Sequence, residues 1–336
     1  MDSRALALAD WCGRQLDRDT PALVMVSGDA SFRRYFRLEH QGQSMIAMDA
    51  PPQKEDSSAF VSLAQAWHER GVQVPRLIAH NLDEGFLLLE DFGDVQMQGA
   101  LQQRSREQIA GCYQQAIAQL VHLQRQTQDI ADRLPPYDAV LLDREMALFR
   151  DWLLLQKLGL QLSASEESLL SSTFDLLRQD ALQQAKVTVH RDYHSRNLMC
   201  LPDSTLGILD FQDAVLGPVT YDLVSLLRDC YVRWPSELVM QACHHYYQLA
   251  NSEGIPVPDT FDAFYRAFEW MGMQRHLKAS GIFARLALRD GKLAYLQDIP
   301  NTVRYLAEAA QGYAETRDFA DWLQDRVVPL LNEGMR

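Results

Sequence analysis

Near residue 93 the hydrophobic period of the chain changes, and that change limits what it can fold into. Before it, apolar residues alternate in short runs, Ala22–Ser27, Arg33–His40, Ser44–Ala50, Arg76–Ala79 and Phe86–Glu90, as in strands whose successive side chains face opposite ways. Gln41–Gly42 and Asn81–Gly85 read as the turns of two hairpins. Pro51-Pro52 closes the third strand. Behind Asp56 and Ser57, residues Phe60, Leu63, Ala64 and Trp67 fall at helical spacing until Gly71. After residue 93 the texture is helical, in Leu/Ala/Gln-rich segments over about 104–127, 143–158, 164–183, 220–231, 236–252, 260–290, 300–314 and 317–333. The pattern predicts an α+β chain of two lobes. Residues 1–93 form a small antiparallel sheet with one helix, and residues 94–336 a larger, mainly helical lobe.

Composition narrows the function classes. The 336 residues suffice for two lobes with real cores. The net charge of −13 gives an acidic surface that repels phosphate backbones and anionic lipid, so neither nucleic acid nor a membrane surface is an expected partner. Five cysteines without a CxxC pair read as reduced thiols, which predicts a cytoplasmic setting. The start MDSRALALADW does not resemble a secretion leader. The longest stretch free of Lys, Arg, Asp and Glu, Gln108–Gln124, holds five Gln and is too polar for a bilayer span. Oligomeric state is not legible.

One island interrupts the helical part. Lys186–His190, Leu198–Leu201 and Leu206–Asp210 read as short strands, with polar residues at their ends, where chemistry tends to sit. The island contains His190-Arg191-Asp192, then Asn197, then Leu209-Asp210-Phe211. Phosphoryl transfer from ATP needs a carboxylate beside the attacking hydroxyl, and Asp192 on a loop after a strand can supply it. It also needs oxygen ligands for Mg²⁺, and Asn197 with Asp210 after the hairpin suit that hard cation. A zinc site is the competing reading for His190, Asp192 and His194. It lacks a partner set, because Cys243-His244-His245 sits on a helix where adjacent residues point apart. His190 is expected to brace the loop, His194 to bond the loop or the substrate, and Asp222 to cap or anchor.

These residues resemble the protein-kinase-like superfamily, and Asp192-Tyr193-His194-x-x-Asn197 is similar to the Asp-x-His-x-x-Asn of its aminoglycoside/choline phosphotransferase branch. The short path from Asp210 to Gly217-Pro218 and Tyr221-Asp222 fits small-molecule kinases. The resemblance covers nearly the whole chain and implies a two-lobed protein-kinase-like fold. It places Gly28, Ser31, Arg33 and Arg34 at the phosphate-covering turn, and Glu90, Asp91 and Phe92 at the hinge that holds adenine by its backbone. The turn has one glycine instead of three, a weak signal alone.

A departure follows from the same resemblance. The superfamily places a Lys on the third strand, paired with a helix Glu. Here Met48 is near the Lys position and Phe60 and Leu63 near the Glu position. Arg33 or Arg34 is expected to neutralise phosphate instead.

Within Met271–Lys292, five bases (Arg275, Lys278, Arg285, Arg289 and Lys292) face one acid, Asp290. They read either as a solvated face or, some of them with His276, as the lining of a cleft for an anionic or neutral acceptor. GDASFRRYFRL, MDAPP, LLLEDFGD, HRDYHSRNLM, LDFQDA and RHLKASGIFARLALRDGK together resemble the bacterial anomeric sugar kinases of cell-wall recycling. That resemblance implies phosphorylation of the C1 hydroxyl of an amino sugar, N-acetylmuramate or N-acetylglucosamine, with ATP and Mg²⁺. It makes Arg275, His276 and His194 candidate acceptor contacts. Two alternatives stay open: a kinase of another alcohol such as choline or an aminoglycoside, with Trp270, Tyr295 and Tyr305 as available aromatics, and a non-catalytic nucleotide-binding module.

Overall fold

The computed structural model describes residues 2–28, 32–102 and 104–333. The chain divides into two compact units, Met1–Thr127 with Ser195–Asp213, and Gln128–His194 with Ala214–Arg336.

The first unit is built on an antiparallel sheet of β1 (Val24–Gly28), β2 (Arg34–His40), β3 (Gln43–Asp49), β4 (Leu77–Asn81) and β5 (Phe86–Glu90), in the order β1-β2-β3-β5-β4. The expected turn between β2 and β3 is present, with Gln41 and Gly42 both at positive φ (51° and 77°), the geometry that matches strand twist. Strand alternation sorts the side chains. Phe36, Leu38, Met45, Ala47, Phe86 and Leu88 pack on Ala5, Leu8, Trp11 and Cys12 of a helix, α1 (Ser3–Gln15). This helix adds to the single one expected, α2 (Ser58–Glu69). The Asp2 carboxylate caps α1 by accepting from Ala5 N–H at 2.9 Å. At its base, buried Asp49 takes Arg4 (Nε–Oδ1 2.9 Å) and Arg34 (Nε–Oδ2 3.0 Å).

Beyond residue 93 the same unit holds α3 (Met97–Leu101), α4 (Arg106–Gln126) and the hairpin β7 (Leu198–Cys200)–β8 (Leu206–Ile208). Ser105 and Gln108 form a reciprocal cap at the start of α4. Backbone bonds fix the hairpin: Cys200 N–H to the Val95 carbonyl at 2.8 Å and Ile208 N–H to that of Gln73 at 2.7 Å.

The second unit is mainly helical. It contains α5 (Ala139–Leu148), which runs into a π-helical segment Phe149–Lys157, then α6 (Ala164–Gln183), α7 (Tyr221–Leu227), α8 (Ser236–Ser252), α9 (Phe261–Asp290), α10 (Ile299–Gln311), α11 (Arg317–Trp322) and α12 (Val328–Glu333). Its one sheet among the described residues pairs β6 (Lys186–Val189) with β9 (Val215–Pro218), a strand the Gly-Pro sequence disguises as loop. The 30-residue α9 is the axis, packing on α5, α6, α7 and α10. At Gly281 a Cβ would stand 2.2 Å from the Leu148 carbonyl carbon. Only glycine lets the two backbones approach there. No helix among the described residues is long and apolar enough to cross a membrane.

Candidate active site

In the first unit a cavity of about 460 Å³ opens beside the sheet. Val26, Tyr35, Ile46 and Leu89 wall one side, the sheet face away from α1, and Met199 and Leu209 belong to the hairpin. Glu90, Asp91, Phe92, Gly93 and Asp94 line the segment after β5, while Asn197, Asp210 and Phe211 also border the cavity. A slot with an apolar wall and main-chain groups along one edge suits a nucleobase.

The segment after β5 is braced by its side chains. The Asp91 carboxylate accepts from Arg37 Nε (2.5 Å), Ser44 Oγ (2.5 Å) and Gly93 N–H (2.8 Å). Burial works to raise its pKa, but these donors outweigh that and hold it below the usual carboxylate range. Arg37 also reaches Asp94, Nη1 to Oδ2 at 2.9 Å. Asp91 is thus a girder, and Glu90 uses its N–H on the Arg76 carbonyl. The Phe92 N–H makes no hydrogen bond among the described residues.

Asn197 and Asp210 come together as the spacing predicts, with Asn197 Nδ2 3.5 Å from Asp210 Oδ2. The Leu209 N–H donates to the Asn197 carbonyl at 2.9 Å, so backbone as well as side chain joins the pair. Asp210 sits at φ 65°, a left-handed conformation unusual for a residue with a side chain. Gln212 Nε2 donates to its Oδ1 at 2.8 Å. Behind it Phe211 stacks on Phe60 (centroids 4.8 Å) and meets Trp67 (5.5 Å), fixing the strand end against α2. The amide and carboxylate oxygens fit a hard divalent cation. No group of three or more His, Cys, Asp or Glu able to hold a metal occurs among the described residues, so such a cation would draw its other ligands from water and phosphate.

The two adjacent arginines separate. Arg34 lies on the α1 side, bound to Asp49 and Asp2 with its guanidinium 5.6 Å from the Phe36 ring. Its expected phosphate role is therefore corrected: strand alternation aims it away from the cavity that Tyr35 and Arg37 line. Buried Arg33 instead has Nη2 3.4 Å from Glu55 Oε2, and Glu55 Oε1 takes the Phe32 N–H at 3.0 Å. An Arg–Glu pair just ahead of α2 thus exists in this chain, although Met48 on β3 is fully buried and apolar. Gly28 ends β1 opposite Arg34. Ser31 lies outside the described residues.

In the second unit the loop after β6 carries His190, Arg191, Asp192, Tyr193 and His194. Asp222 anchors it: its Oδ2 accepts from His190 N–H (2.6 Å) and its Oδ1 from Arg191 N–H (3.0 Å). Burial raises the Asp222 pKa to about 7 against those bonds. Arg191 sits at φ 77°, a second left-handed residue in the motif. His190 braces the loop as expected, its Nδ1 accepting from Asp192 N–H at 3.2 Å.

Around Asp192 is a buried charge network that the sequence does not announce. Glu145 Oε1 meets Arg191 Nη2 at 2.6 Å and Lys278 Nζ at 3.0 Å, and its other oxygen takes the Tyr137 hydroxyl. Gln274 Nε2 donates to the same hydroxyl at 2.9 Å, and Lys278 Nζ to the Tyr221 hydroxyl at 2.9 Å. Arg275 Nη1 donates to the Arg191 carbonyl at 2.8 Å. Burial alone would raise the Asp192 pKa. The charges of Lys278, His194, Arg275 and His190 outweigh it and bring it down to about 2, so the carboxylate is ionised.

His194 meets Tyr231 edge-on at 5.7 Å, and its buried Nδ1 has no hydrogen-bond partner. His276 goes elsewhere: one helix position from Arg275, it turns to stack on Tyr305 (5.1 Å, 8° between planes) with Nε2 3.0 Å from the Arg228 carbonyl oxygen. Burial holds its pKa at about 3, so it is a neutral packing residue, which corrects its expected place among the acceptor contacts.

Comparison with known proteins agrees with this geometry. The family model "Phosphotransferase enzyme family" matches residues 23–264. The chain is 43% identical over 301 residues to the N-acetylmuramate/N-acetylglucosamine kinase of Pseudomonas aeruginosa, covering 90% of this chain and 87% of that one. It is 40% identical to the kinase of the same name from Neisseria meningitidis serogroup B, covering 93% and 92%. Among solved structures, choline kinase LicA from Streptococcus pneumoniae has the same fold, with TM-score 0.60 at 13% identity over 91% of this chain and 100% of that one. By sequence and by fold, the chain belongs to the phosphotransferase enzyme family.

Proposed function

We propose that this enzyme transfers the γ-phosphoryl group of ATP to the anomeric hydroxyl of N-acetylmuramate or N-acetylglucosamine, giving the sugar 1-phosphate for reuse of cell-wall sugars in the cytoplasm. The observation that carries the reading is the cavity bordered by Asn197 and Asp210, whose side chains meet with Asn197 Nδ2 3.5 Å from Asp210 Oδ2. The named kinases that match most of the chain supply the substrate.

Residues 1–93 serve chiefly the nucleotide and residues 94–336 the acceptor. Adenine lies in the slot against Tyr35, Ile46 and Leu89 and bonds to the main chain of Glu90–Phe92, where the Phe92 N–H is available. The β1–β2 turn, with Gly28 and Ser31, covers the phosphates. Arg33, oriented by Glu55, takes the charge-neutralising place of the absent third-strand lysine. Asn197 and Asp210 would hold Mg²⁺, which when bound would offset the negative charge of the phosphate oxygens. Asp192 orients the anomeric hydroxyl and accepts its proton as the new O–P bond forms and the bond to ADP breaks. Arg275 fixes the loop through the Arg191 carbonyl, and His194 faces the acceptor. Positioning and charge placement supply most of the rate.

The deciding experiment is a phosphorus NMR spectrum of the product from Mg-ATP and N-acetylmuramate. A sugar 1-phosphate resonance is expected. Phosphate on another oxygen, or release of inorganic phosphate alone, would refute the assignment.

A further inference from the structure

We infer that Arg191 is a positioning residue for the proposed base: through its guanidinium, Glu145 of α5 fixes where the Asp192 carboxylate points. The inference rests on the reading of Asp192 as proton acceptor given above.

The backbone supplies the first observation. Arg191, one residue before Asp192, sits at φ 77°. Glycine adopts that conformation without penalty, and arginine does not. A strained residue persists only where its surroundings over-determine it. Here they do. The Arg191 N–H donates to Asp222 Oδ1 at 3.0 Å, its carbonyl accepts from Arg275 Nη1 at 2.8 Å, and its Nη2 donates to Glu145 Oε1 at 2.6 Å. The three anchors stand on three helices, α7, α9 and α5. Two of them hold main-chain groups, which any residue but proline could offer at 191. The link to α5 is the one that needs this side chain.

The far end of that link is itself held. Glu145 is buried, and Lys278 Nζ lies 3.0 Å from the same Oε1, while the Tyr137 hydroxyl and Gln274 Nε2 (3.3 Å) serve Oε2. Lys278 continues to the Tyr221 hydroxyl at 2.9 Å, and Tyr221 adjoins Asp222, the anchor of the Arg191 N–H. The contacts therefore close on themselves, from Arg191 through Glu145, Lys278, Tyr221 and Asp222 back to Arg191. Glu145 and Lys278 stand on α5 and α9, the two helices whose backbones meet at Leu148 and Gly281. Asp192 leaves this ring with its own main chain engaged. Its N–H donates to His190 Nδ1 at 3.2 Å and its carbonyl accepts from His194 N–H at 3.0 Å.

The energetics of the link point to placement over stability. A buried ion pair is a poor source of net stability, because desolvation offsets the attraction. Arg191 Nε is shielded from solvent with no hydrogen-bond partner among the described residues, a further cost. Taking the guanidinium away leaves Glu145 with Lys278, Tyr137 and Gln274, so no buried charge is stranded. What is lost is the third anchor of a strained residue. A catalytic group displaced by about 1 Å costs on the order of a hundredfold in rate.

Arg191→Ala keeps the strain and removes the link. Its kcat is expected to fall roughly 10- to 100-fold, with the KM values for ATP and for the sugar unchanged and little change in melting temperature. The wild-type side chain is 19% exposed, so a free guanidinium ion can reach the vacated place beside Glu145. Millimolar guanidinium chloride, far below its denaturing range, should restore part of the lost turnover and do nothing for Asp192→Asn. An unchanged kcat overturns the inference, and so does a loss that guanidinium leaves untouched. A rise in KM alone overturns it too, by making Arg191 a substrate contact. Should Arg191→Ala not fold, Arg191→Lys is read in its place. A point charge on a shorter stem replaces the planar fork, so kcat should fall several-fold at unchanged KM, and a wild-type kcat overturns the inference. The parent reading fails separately: a wild-type enzyme that phosphorylates neither sugar, or an Asp192→Asn variant at full turnover, defeats that reading and the inference with it.

Discussion

Gly207 of β8 and the ring of Phe92 share one small space: a Cβ at position 207 would lie 2.4 Å from Phe92 Cδ2 and Cε2. Phe92 lines the cavity proposed for the nucleotide, so the hairpin behind it sets the width of the slot. In Gly207→Ala the ring must shift, as in other overpacked cores. The KM for ATP is expected to rise several-fold, with a stability loss of about 1–3 kcal/mol. Steady-state kinetics and urea unfolding check both; an unchanged ATP KM refutes the link.

Asp192→Asn keeps the shape of the loop and removes the proposed proton acceptor. Turnover is expected to fall by roughly 10²–10⁴ while ATP still binds with near wild-type affinity, measured by titration calorimetry. With the wild-type pKa at about 2, protonation of Asp192 contributes no acid limb to the pH–rate profile in the neutral range.

Asn197→Ala and Asp210→Asn each weaken the oxygen set for Mg²⁺. The Mg²⁺ concentration for half-maximal rate is expected to rise in both, more in Asp210→Asn because it loses the charge. A Mg²⁺ titration at fixed ATP reads this directly, and an unaltered midpoint in both variants rejects the assignment.

Glu145 tests the buried network. Its pKa falls to about 2 from 4.5: burial opposes this, and Lys278 and Arg191 outweigh burial. A depressed carboxylate lends stability that is complete above the unfolded value and is lost as the pH falls from 4.5 toward 2. Glu145→Gln leaves Lys278 and Arg191 without their counter-charge and should destabilise by about 3–5 kcal/mol at neutral pH. The gap from wild type should narrow on acidification, as followed by urea unfolding at several pH values. A gap independent of pH excludes this electrostatic origin.

Arg33 and Arg34 should separate cleanly. Arg33→Ala is expected to raise the ATP KM or depress turnover about tenfold or more, since a charge-assisted phosphate contact is lost. Arg34→Ala should act on stability, because it leaves buried Asp49 with Arg4 as the remaining partner among its hydrogen bonds. Kinetics and thermal melts on both variants distinguish them; the opposite pattern would return the phosphate role to Arg34.

The sequence makes the local structure legible where one period dominates. The β2–β3 hairpin, α4, α6 and α9 follow from alternation or helical spacing, and the Asn197–Asp210 pair from a motif whose members lie 13 residues apart. Helix α1 left a usable signal, Asp2 as cap with Ala5, Leu8, Ala9 and Cys12 at helical steps. β9 left none, because Gly217-Pro218 resembles a loop and its partner β6 lies far back in the chain. Glu145 with Lys278, and Arg33 with Glu55, have no local pattern at all; such pairs are chosen by tertiary packing, and only the fold brings them together. His276 shows the converse, a charged-looking stretch whose individual members the helix turn sends in different directions.

Met48 carries one more consequence. Among the described residues that line the cavity there is no lysine and no cysteine, so a reactive acyl-phosphate nucleotide that acylates an amine meets no target within that slot. A covalent drug lead aimed at the slot would have to find its anchor elsewhere, or rely on shape alone.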